Sequence, residues 1–257
     1  MTHDELILNL KKLNLHQMAE SYIESSRAAE KAKLTYEQYL AGLTVRELTY
    51  KADQRIRRLT KEASLPLEKR LESYDFALRT GITATDFHRL ASGAFVREAS
   101  NVVFYGDFGV GKTHLAISLV RELVKKNIRV YFTSTHTLIE QMLEAKRNLT
   151  LLPLFKKLDR YELLVLDELG YIAQSQDGAD LFFQLISQRT ERKSLLITTN
   201  LTYSQWDKVL VNPLNTAAAI ERIVHKCETF NITGPGYRVE EAKKRQTPKT
   251  KLTEPQS

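Results

Sequence analysis

One eight-residue segment constrains the fold of this chain more than any other. Residues 106–113 run Gly-Asp-Phe-Gly-Val-Gly-Lys-Thr and match the pattern G-x-x-x-x-G-K-[ST] at every position. An apolar run at residues 102–105 precedes the segment, and a stretch with helical spacing follows it. A strand, a glycine-rich loop and a helix N-terminus in this order present backbone N–H groups to phosphate groups. The segment therefore predicts a phosphate-binding loop, the P-loop.

The residues of the P-loop have separate predicted roles toward a nucleotide. Lys112 is expected to reach the β- and γ-phosphates, and Thr113 to place its hydroxyl on Mg²⁺. His114 is expected to pack beside the loop as a helix residue rather than to act as a catalytic base. The predicted nucleotide contacts are Gly106, Gly109, Val110, Gly111, Lys112, Thr113 and His114.

Polar residues at the ends of two later apolar runs complete the predicted catalytic set. The run at residues 163–166 ends in Asp167 and Glu168. We expect Asp167 to hold hydrated Mg²⁺ together with Thr113, and Glu168 to polarise the attacking water. Asn200 closes the next run, residues 195–199, and is expected to hold the water or the γ-phosphate. With Lys112, these residues predict nucleotide hydrolysis.

The nucleotide is predicted to be ATP, with Mg²⁺ as its metal ion. The chain contains no Asn-Lys-x-Asp sequence, which guanine-specific GTPases use, and no Leu-Ser-Gly-Gly signature of transporter ATPases. His225 and Cys227 lie two residues apart, but the chain has no second cysteine, so we do not predict a metal site there.

The fold class is predicted to be α/β, with a parallel sheet flanked by helices and a small all-helical N-terminal domain before it. From residue 101 onward, short apolar runs alternate with amphipathic stretches. Earlier residues show helical spacing, and Thr35 with Gln38 forms a capping-box pattern. The predicted division is a helical domain at 1–70, a connector at 71–98, an ATPase domain at 99–240 and a flexible basic tail at 241–257.

Charge and hydropathy limit the possible partners and location. The 257 residues include 38 Lys and Arg against 31 Asp and Glu, giving a net charge of +7, so a polyanionic partner is plausible. No apolar run approaches the roughly 20 residues that cross a bilayer, and no secretory leader is evident. We expect a cytoplasmic protein without a membrane partner.

The third predicted helix carries the residues expected to contact DNA phosphates. Four basic residues at spacings of 4, 3 and 3 share one helix face, and two more lie nearby. The predicted DNA contacts are Arg46, Lys51, Arg55, Arg57, Arg58 and Lys61. The alternative is a solvated face paired with the acidic residues Glu47, Asp53 and Glu62.

The P-loop, the acidic pair and Asn200 together resemble the AAA+ ATPases. Several longer segments resemble more narrowly the IstB-type transposition helper ATPases of bacterial insertion sequences, which are related to DnaC-type helicase loaders. These segments are residues 109–116 (Gly-Val-Gly-Lys-Thr-His-Leu-Ala), 167–171 (Asp-Glu-Leu-Gly-Tyr), 178–187, 199–201 (Thr-Asn-Leu) and 219–225. Residues 73–76 resemble the aromatic-containing connector of that family.

This resemblance implies further roles and partners. It implies that Arg222 is an arginine finger in a neighbouring subunit, and that Arg238 is a sensor of the bound phosphate, although Gly234-Pro235-Gly236 departs from the family pattern. It also implies a homo-oligomer with ATP at subunit interfaces that binds double-stranded DNA, selects or remodels target DNA and recruits a transposase.

Three alternatives remain open from the sequence. A DnaC-like helicase loader would engage a helicase and single-stranded DNA. A metabolic P-loop kinase would act on a small acceptor without ATP-dependent assembly. A DNA-binding switch would use ATP only as a structural ligand.

Overall fold

The computed structural model describes residues 2–63, 65, 71, 74–170, 175–208 and 213–236. The chain divides into two compact units, Met1–Leu59 and Thr60–Ser257. The predicted domain limits at residues 70, 98 and 240 stay predictions. Arg238 and the predicted basic tail at 241–257 lie outside the described residues.

Three helices build the N-terminal part of the chain: α1 His3–Lys12, α2 His16–Lys31 and α3 Tyr36–Glu62. The capping box predicted at the start of α3 is confirmed. The Thr35 hydroxyl accepts a hydrogen bond from the Gln38 N–H at 3.2 Å, and the Gln38 side chain accepts one from the Thr35 N–H at 2.9 Å. Both donors would otherwise lack a helical partner, so the pair fixes where α3 begins.

A buried carboxylate joins two of these helices within the first unit. Glu47 of α3 is 2 % exposed, and its Oε2 accepts a hydrogen bond from the Met18 N–H in the first turn of α2 at 2.9 Å. Leu15, the N-cap of α2, provides no side-chain cap. Glu47 therefore supplies the negative charge that the N-terminus of α2 favours.

The second unit contains a parallel sheet and its covering helices. Among the described residues its elements are α4 Ala84–Ala91, α5 Ala94–Arg97, β1 Asn101–Tyr105, α6 Lys112–Lys125, β2 Val130–Ser134, α7 Thr135–Arg147, α8 Leu151–Leu158, β3 Leu163–Leu169, α9 Gln176–Arg189, β4 Ser194–Thr199, a 3₁₀ helix Tyr203–Lys208, α10 Pro213–Val224 and β5 Cys227–Asn231. The sheet has the strand order β2-β3-β4-β1-β5, with every described pairing parallel. The predicted α/β fold with N-terminal helices is confirmed.

The strand order explains the continuous apolar runs. Every residue of β4 is buried, and in β3 every residue but Glu168 is buried. Strands at the centre of a parallel sheet are covered on both faces, so their side chains are apolar without alternation. No helix in the described part of the chain is both long and apolar enough to cross a lipid bilayer.

A buried arginine fixes the amino ends of the central strands. Arg189 of α9 is 2 % exposed, and burial lowers the pKa of its guanidinium to about 10. It donates hydrogen bonds of 3.1 to 3.3 Å to the carbonyl oxygens of Leu158, Tyr161, Glu162 and Ser194. These carbonyl dipoles stabilise the buried charge and join α9 to the segments that enter β3 and β4.

Candidate nucleotide-binding site

The P-loop runs from the end of β1 to the start of α6, as predicted. Gly106 has φ +146, and a Cβ added to it would lie 2.0 Å from the carbonyl oxygen of Ile232, beyond the end of β5. Gly111 has φ +101 and is the N-cap of α6. Both positions therefore need glycine, the first for close backbone approach and the second for its left-handed conformation.

Lys112 lies along the inside of the P-loop. Its Nζ donates hydrogen bonds to the carbonyl oxygens of Gly106 and Asp107, each at 2.8 Å. Burial lowers the pKa of Lys112, while the nearby charges of Asp167, Asp107 and Glu168 act in the opposite direction. The ammonium group is thus held at the concave loop where a phosphate would bind.

The two residues predicted to hold Mg²⁺ are brought together. The Thr113 hydroxyl donates a hydrogen bond to Asp167 Oδ1 at 2.9 Å, across 54 residues of sequence. Asp167 is 7 % exposed. A hydroxyl and a carboxylate are hard oxygen ligands of the kind Mg²⁺ prefers when it keeps waters and phosphate oxygens as its other ligands. The residues present therefore fit that ion.

Glu168 lies on a β-bulge. Leu166 pairs with Ile197 and Leu169 with Thr199, so β3 has one residue more than β4 between these pairs. Glu168 has φ +59, a left-handed conformation uncommon for a residue with a side chain. The bulge leaves Asp167 buried and Glu168 exposed. Such local strain is frequent at functional sites, where it directs a side chain.

Thr198 of β4, which the sequence analysis missed, holds the acidic pair in place. Its hydroxyl donates a hydrogen bond to Asp167 Oδ1 at 2.5 Å and accepts one from the Glu168 N–H at 2.9 Å. The Thr135 hydroxyl also donates to the Asp167 carbonyl oxygen at 3.1 Å. The only signal in the sequence was the position of Thr198 two residues before Asn200, at the end of an apolar strand.

The strand order places Asn200 between the other parts of the site. Asn200 follows β4 directly, and β4 lies between β1, which leads into the P-loop, and β3, which carries the acidic pair. Carboxyl ends of parallel strands meet at one edge of the sheet, where ligands of α/β proteins bind.

The remaining predicted nucleotide and catalytic residues lie in different surroundings. His114 is 6 % exposed, and its ring meets that of Tyr74 edge-on with 5.6 Å between centroids. Arg222 lies on α10 with its guanidinium carbon 5.0 Å from the ring centroid of Phe183, and its Nη1 donates to the Ala218 carbonyl oxygen at 3.0 Å. In this single chain Arg222 thus contacts α9 and its own helix.

All six residues predicted to contact DNA are exposed on α3. Arg46 donates a hydrogen bond to the Ser25 hydroxyl at 2.9 Å, and the Lys51 Nζ lies 3.8 Å from Glu47. Glu62 lies 3.3 Å from Arg129. Among these contacts, Glu47 is the acidic residue beside a predicted DNA contact, whereas Glu62 pairs with Arg129 outside α3.

The thiol of Cys227 is half-buried, and burial raises its pKa. A raised pKa disfavours the reactive thiolate at neutral pH.

One protein-family profile matches this chain over most of its length. The sequence profile of the family described as IstB-like ATP binding protein matches residues 8–246. An ATP-binding protein assigned to insertion sequence IS232 of Bacillus thuringiensis subsp. berliner is 32% identical over 93% of this chain and 96% of its own length. Its counterpart assigned to IS21 of Pseudomonas aeruginosa is 34% identical over 93% and 89%.

Solved structures also resemble the chain. The DnaC helicase loader matches with a TM-score of 0.53 and 25% identity, over 65% of this chain and 98% of that protein. AMPPCP-bound DnaA from Aquifex aeolicus matches with a TM-score of 0.54 and 18% identity, over 74% and 58%. At 18% identity, the similarity to DnaA is evidence of a shared fold alone. The fold is thus that of DnaC- and DnaA-type AAA+ proteins.

Proposed function

Since the chain belongs to the IstB-like ATP-binding protein family, we propose that it is a Mg²⁺-dependent ATPase that assembles on double-stranded DNA. In this proposal the assembly selects or remodels target DNA and recruits a transposase. Support for the transposase comes from the relatives, which are assigned to insertion sequences.

The pairing of Thr113 with Asp167 beside the bulged Glu168 carries the hydrolytic part of the proposal. Thr113 and Asp167 would hold the metal ion, which when bound would neutralise charge on the phosphate oxygens. Lys112 binds the same phosphates. Glu168, exposed beside this pair, orients the attacking water and accepts its proton.

Assembly of several copies of the chain supplies the remaining positive charge at each ATP site. Arg222 lies on α10, with its guanidinium against Phe183. We assign it to the ATP site of a neighbouring copy, where it stabilises transition-state charge. Asn200 holds the attacking water or the γ-phosphate from its position directly after β4. Arg238, as sensor, stays part of the proposal on family resemblance alone.

Double-stranded DNA is proposed to bind the exposed basic residues of α3. Phosphate contacts from lysine and arginine position a duplex without reading its sequence. A helicase loader acting on single-stranded DNA is the second candidate, favoured by the match to the DnaC helicase loader.

The first test uses Glu168→Gln, which keeps the shape of the side chain and removes its basicity. We expect kcat for ATP to fall by about 10² to 10⁴ while ATP binding persists. The binding of the Glu168→Gln variant to labelled duplex and single-stranded DNA is measured in the presence of ATP or ADP. The mass of the resulting complexes is measured at the same time. Duplex-bound, ATP-dependent assemblies are the expected result.

Glu140→Gln, at an exposed position of α7, is the matched control and should keep the wild-type kcat. Unchanged kcat in Glu168→Gln would show that this carboxylate is not the general base. Preference for single strands would favour the loader, and absence of any DNA binding would leave only the ATPase.

A further inference from the structure

A short segment before α4 packs against the P-loop. We call residues 74–80, which form part of the predicted connector at 71–98, the connector segment. Tyr74 is 7 % exposed, and one edge of its ring lies 3.0 Å from the position that a Cβ on Gly111 would occupy. The same ring contacts Phe76, with 4.8 Å between centroids. The connector segment therefore covers the end of the P-loop that begins α6.

Arg79 makes a direct polar contact with the loop. It is 6 % exposed, and its Nε donates a hydrogen bond to the carbonyl oxygen of Val110 at 3.0 Å. Its Nη1 donates to the carbonyl oxygen of Leu78 at 3.1 Å. Charge-assisted hydrogen bonds of this kind are stronger than neutral ones, particularly away from water.

The contact with Val110 also fixes the direction of the next N–H group. The Val110 carbonyl and the Gly111 N–H belong to one planar trans peptide, in which they point in opposite directions. Because Arg79 holds the carbonyl, the Gly111 N–H points away from Arg79. A P-loop binds phosphate through backbone N–H groups, so the orientation of this peptide decides whether one donor is available.

The connector segment is itself held by the end of the sheet. Thr80 and Thr233 exchange backbone hydrogen bonds of 3.0 and 3.2 Å. A Cβ on Gly234 would lie 2.5 Å from the Leu78 carbonyl oxygen, so the two backbones are in close contact. Arg79 therefore projects from a backbone fixed to the segment after β5.

We infer that Arg79 is a positioning residue for the P-loop, which holds the Val110–Gly111 peptide in the orientation that binds nucleotide phosphate. The inference rests on the proposed function, because it presumes that this loop binds ATP. Gly111 would bind phosphate equally in the ground state and the transition state, so the loss of Arg79 should weaken binding without slowing the chemical step.

The test compares Arg79→Met with the wild-type full-length chain. Methionine keeps much of the apolar stem and removes every donor. We expect the Kd for Mg-ADP, measured by calorimetry, and the KM for ATP to rise by about 10-fold or more, with kcat within about 3-fold of wild type. Arg79→Lys, which keeps one charged donor, should recover part of the affinity.

Arg89→Met is the matched control. Arg89 forms a forked ion pair with Glu228, both bonds 2.6 Å, on the surface of the same unit. The Arg89→Met variant should leave the Kd for Mg-ADP and the KM for ATP unchanged. If Arg79→Met binds Mg-ADP like wild type, the inference is overturned.

If Arg79→Met does not fold, Arg79→Lys decides. Its Kd for Mg-ADP should stay above the wild-type value, because one ammonium group cannot reproduce the separate Nε and Nη1 contacts of the planar guanidinium, and an unchanged Kd overturns the inference. Two other outcomes would instead count against the proposed function. One is that the wild-type chain does not bind Mg-ADP, and the other is that Lys112→Ala binds Mg-ADP as tightly as wild type.

Discussion

At the scale of single residues, the site depends on side chains that are buried at some energetic cost. The hydroxyl of Tyr74 has no hydrogen-bond partner within the described part of the chain. Burial raises the pKa of Tyr74 from 10.0 to about 12. The neutral phenol is therefore favoured over the phenolate at the packed position beside the P-loop.

The raised pKa of Tyr74 predicts alkaline destabilisation. Between pH 10 and 12 the unfolded chain loses the Tyr74 proton before the folded chain does, so the stability present below pH 10 is lost as pH rises through this window. A pKa difference of this size corresponds to at most about 2.7 kcal/mol. In denaturant titrations at pH 9 and 11.5, Tyr74→Phe should lose less free energy of unfolding than wild type. Tyr36→Phe, at a 94% exposed position, is the control, and equal losses in both variants would contradict the prediction.

At the scale of elements, α3 carries the proposed DNA surface. Substituting Lys51, Arg55 and Arg58 by alanine preserves helix propensity and removes three positive charges. The affinity for duplex DNA should fall, and the slope of log K against log salt should become shallower by about 0.9 for each phosphate that the variant no longer neutralises. Fluorescence anisotropy at several salt concentrations measures both quantities.

The matched control for α3 removes the same charge elsewhere. Lys156, Lys157 and Arg160 are exposed at and after α8. Their triple alanine variant should retain the wild-type salt slope. If both triple variants change the slope equally, net charge alone explains DNA binding and α3 has no special role.

At the scale of the whole molecule, the proposal requires that one chain complete the ATP site of another. Lys112→Ala removes the phosphate ligand but keeps Arg222, whereas Arg222→Ala keeps the P-loop and should lower kcat by about 10³ or more. Random mixing of the two variants pairs an intact P-loop with an intact arginine at about one interface in four.

The mixture should therefore hydrolyse ATP at a rate on the order of a quarter of wild type, far above either variant alone. Arg192→Ala, which removes an exposed arginine, should behave as wild type. A mixture no more active than the sum of its components would show that Arg222 does not act between subunits.

Local patterns in the sequence were sufficient to predict the parallel sheet, the P-loop, the acidic pair at the end of β3 and the start of α3. Each of these depends on neighbours within a few residues, through strand burial, glycine conformation or helix capping. The sequence also predicted that Thr113 and Asp167 hold one Mg²⁺, because Thr113 closes the P-loop motif and Asp167 follows the apolar run at residues 163–166.

Only the tertiary structure decided what holds these groups in place. Thr198 reaches Asp167, and Arg79 reaches Val110, each across 31 residues. The bulge that exposes Glu168 depends on the pairing of β3 with β4. No local spacing encodes such contacts, because they follow from the order in which the strands pack and from which backbone atoms that order leaves to be hydrogen-bonded.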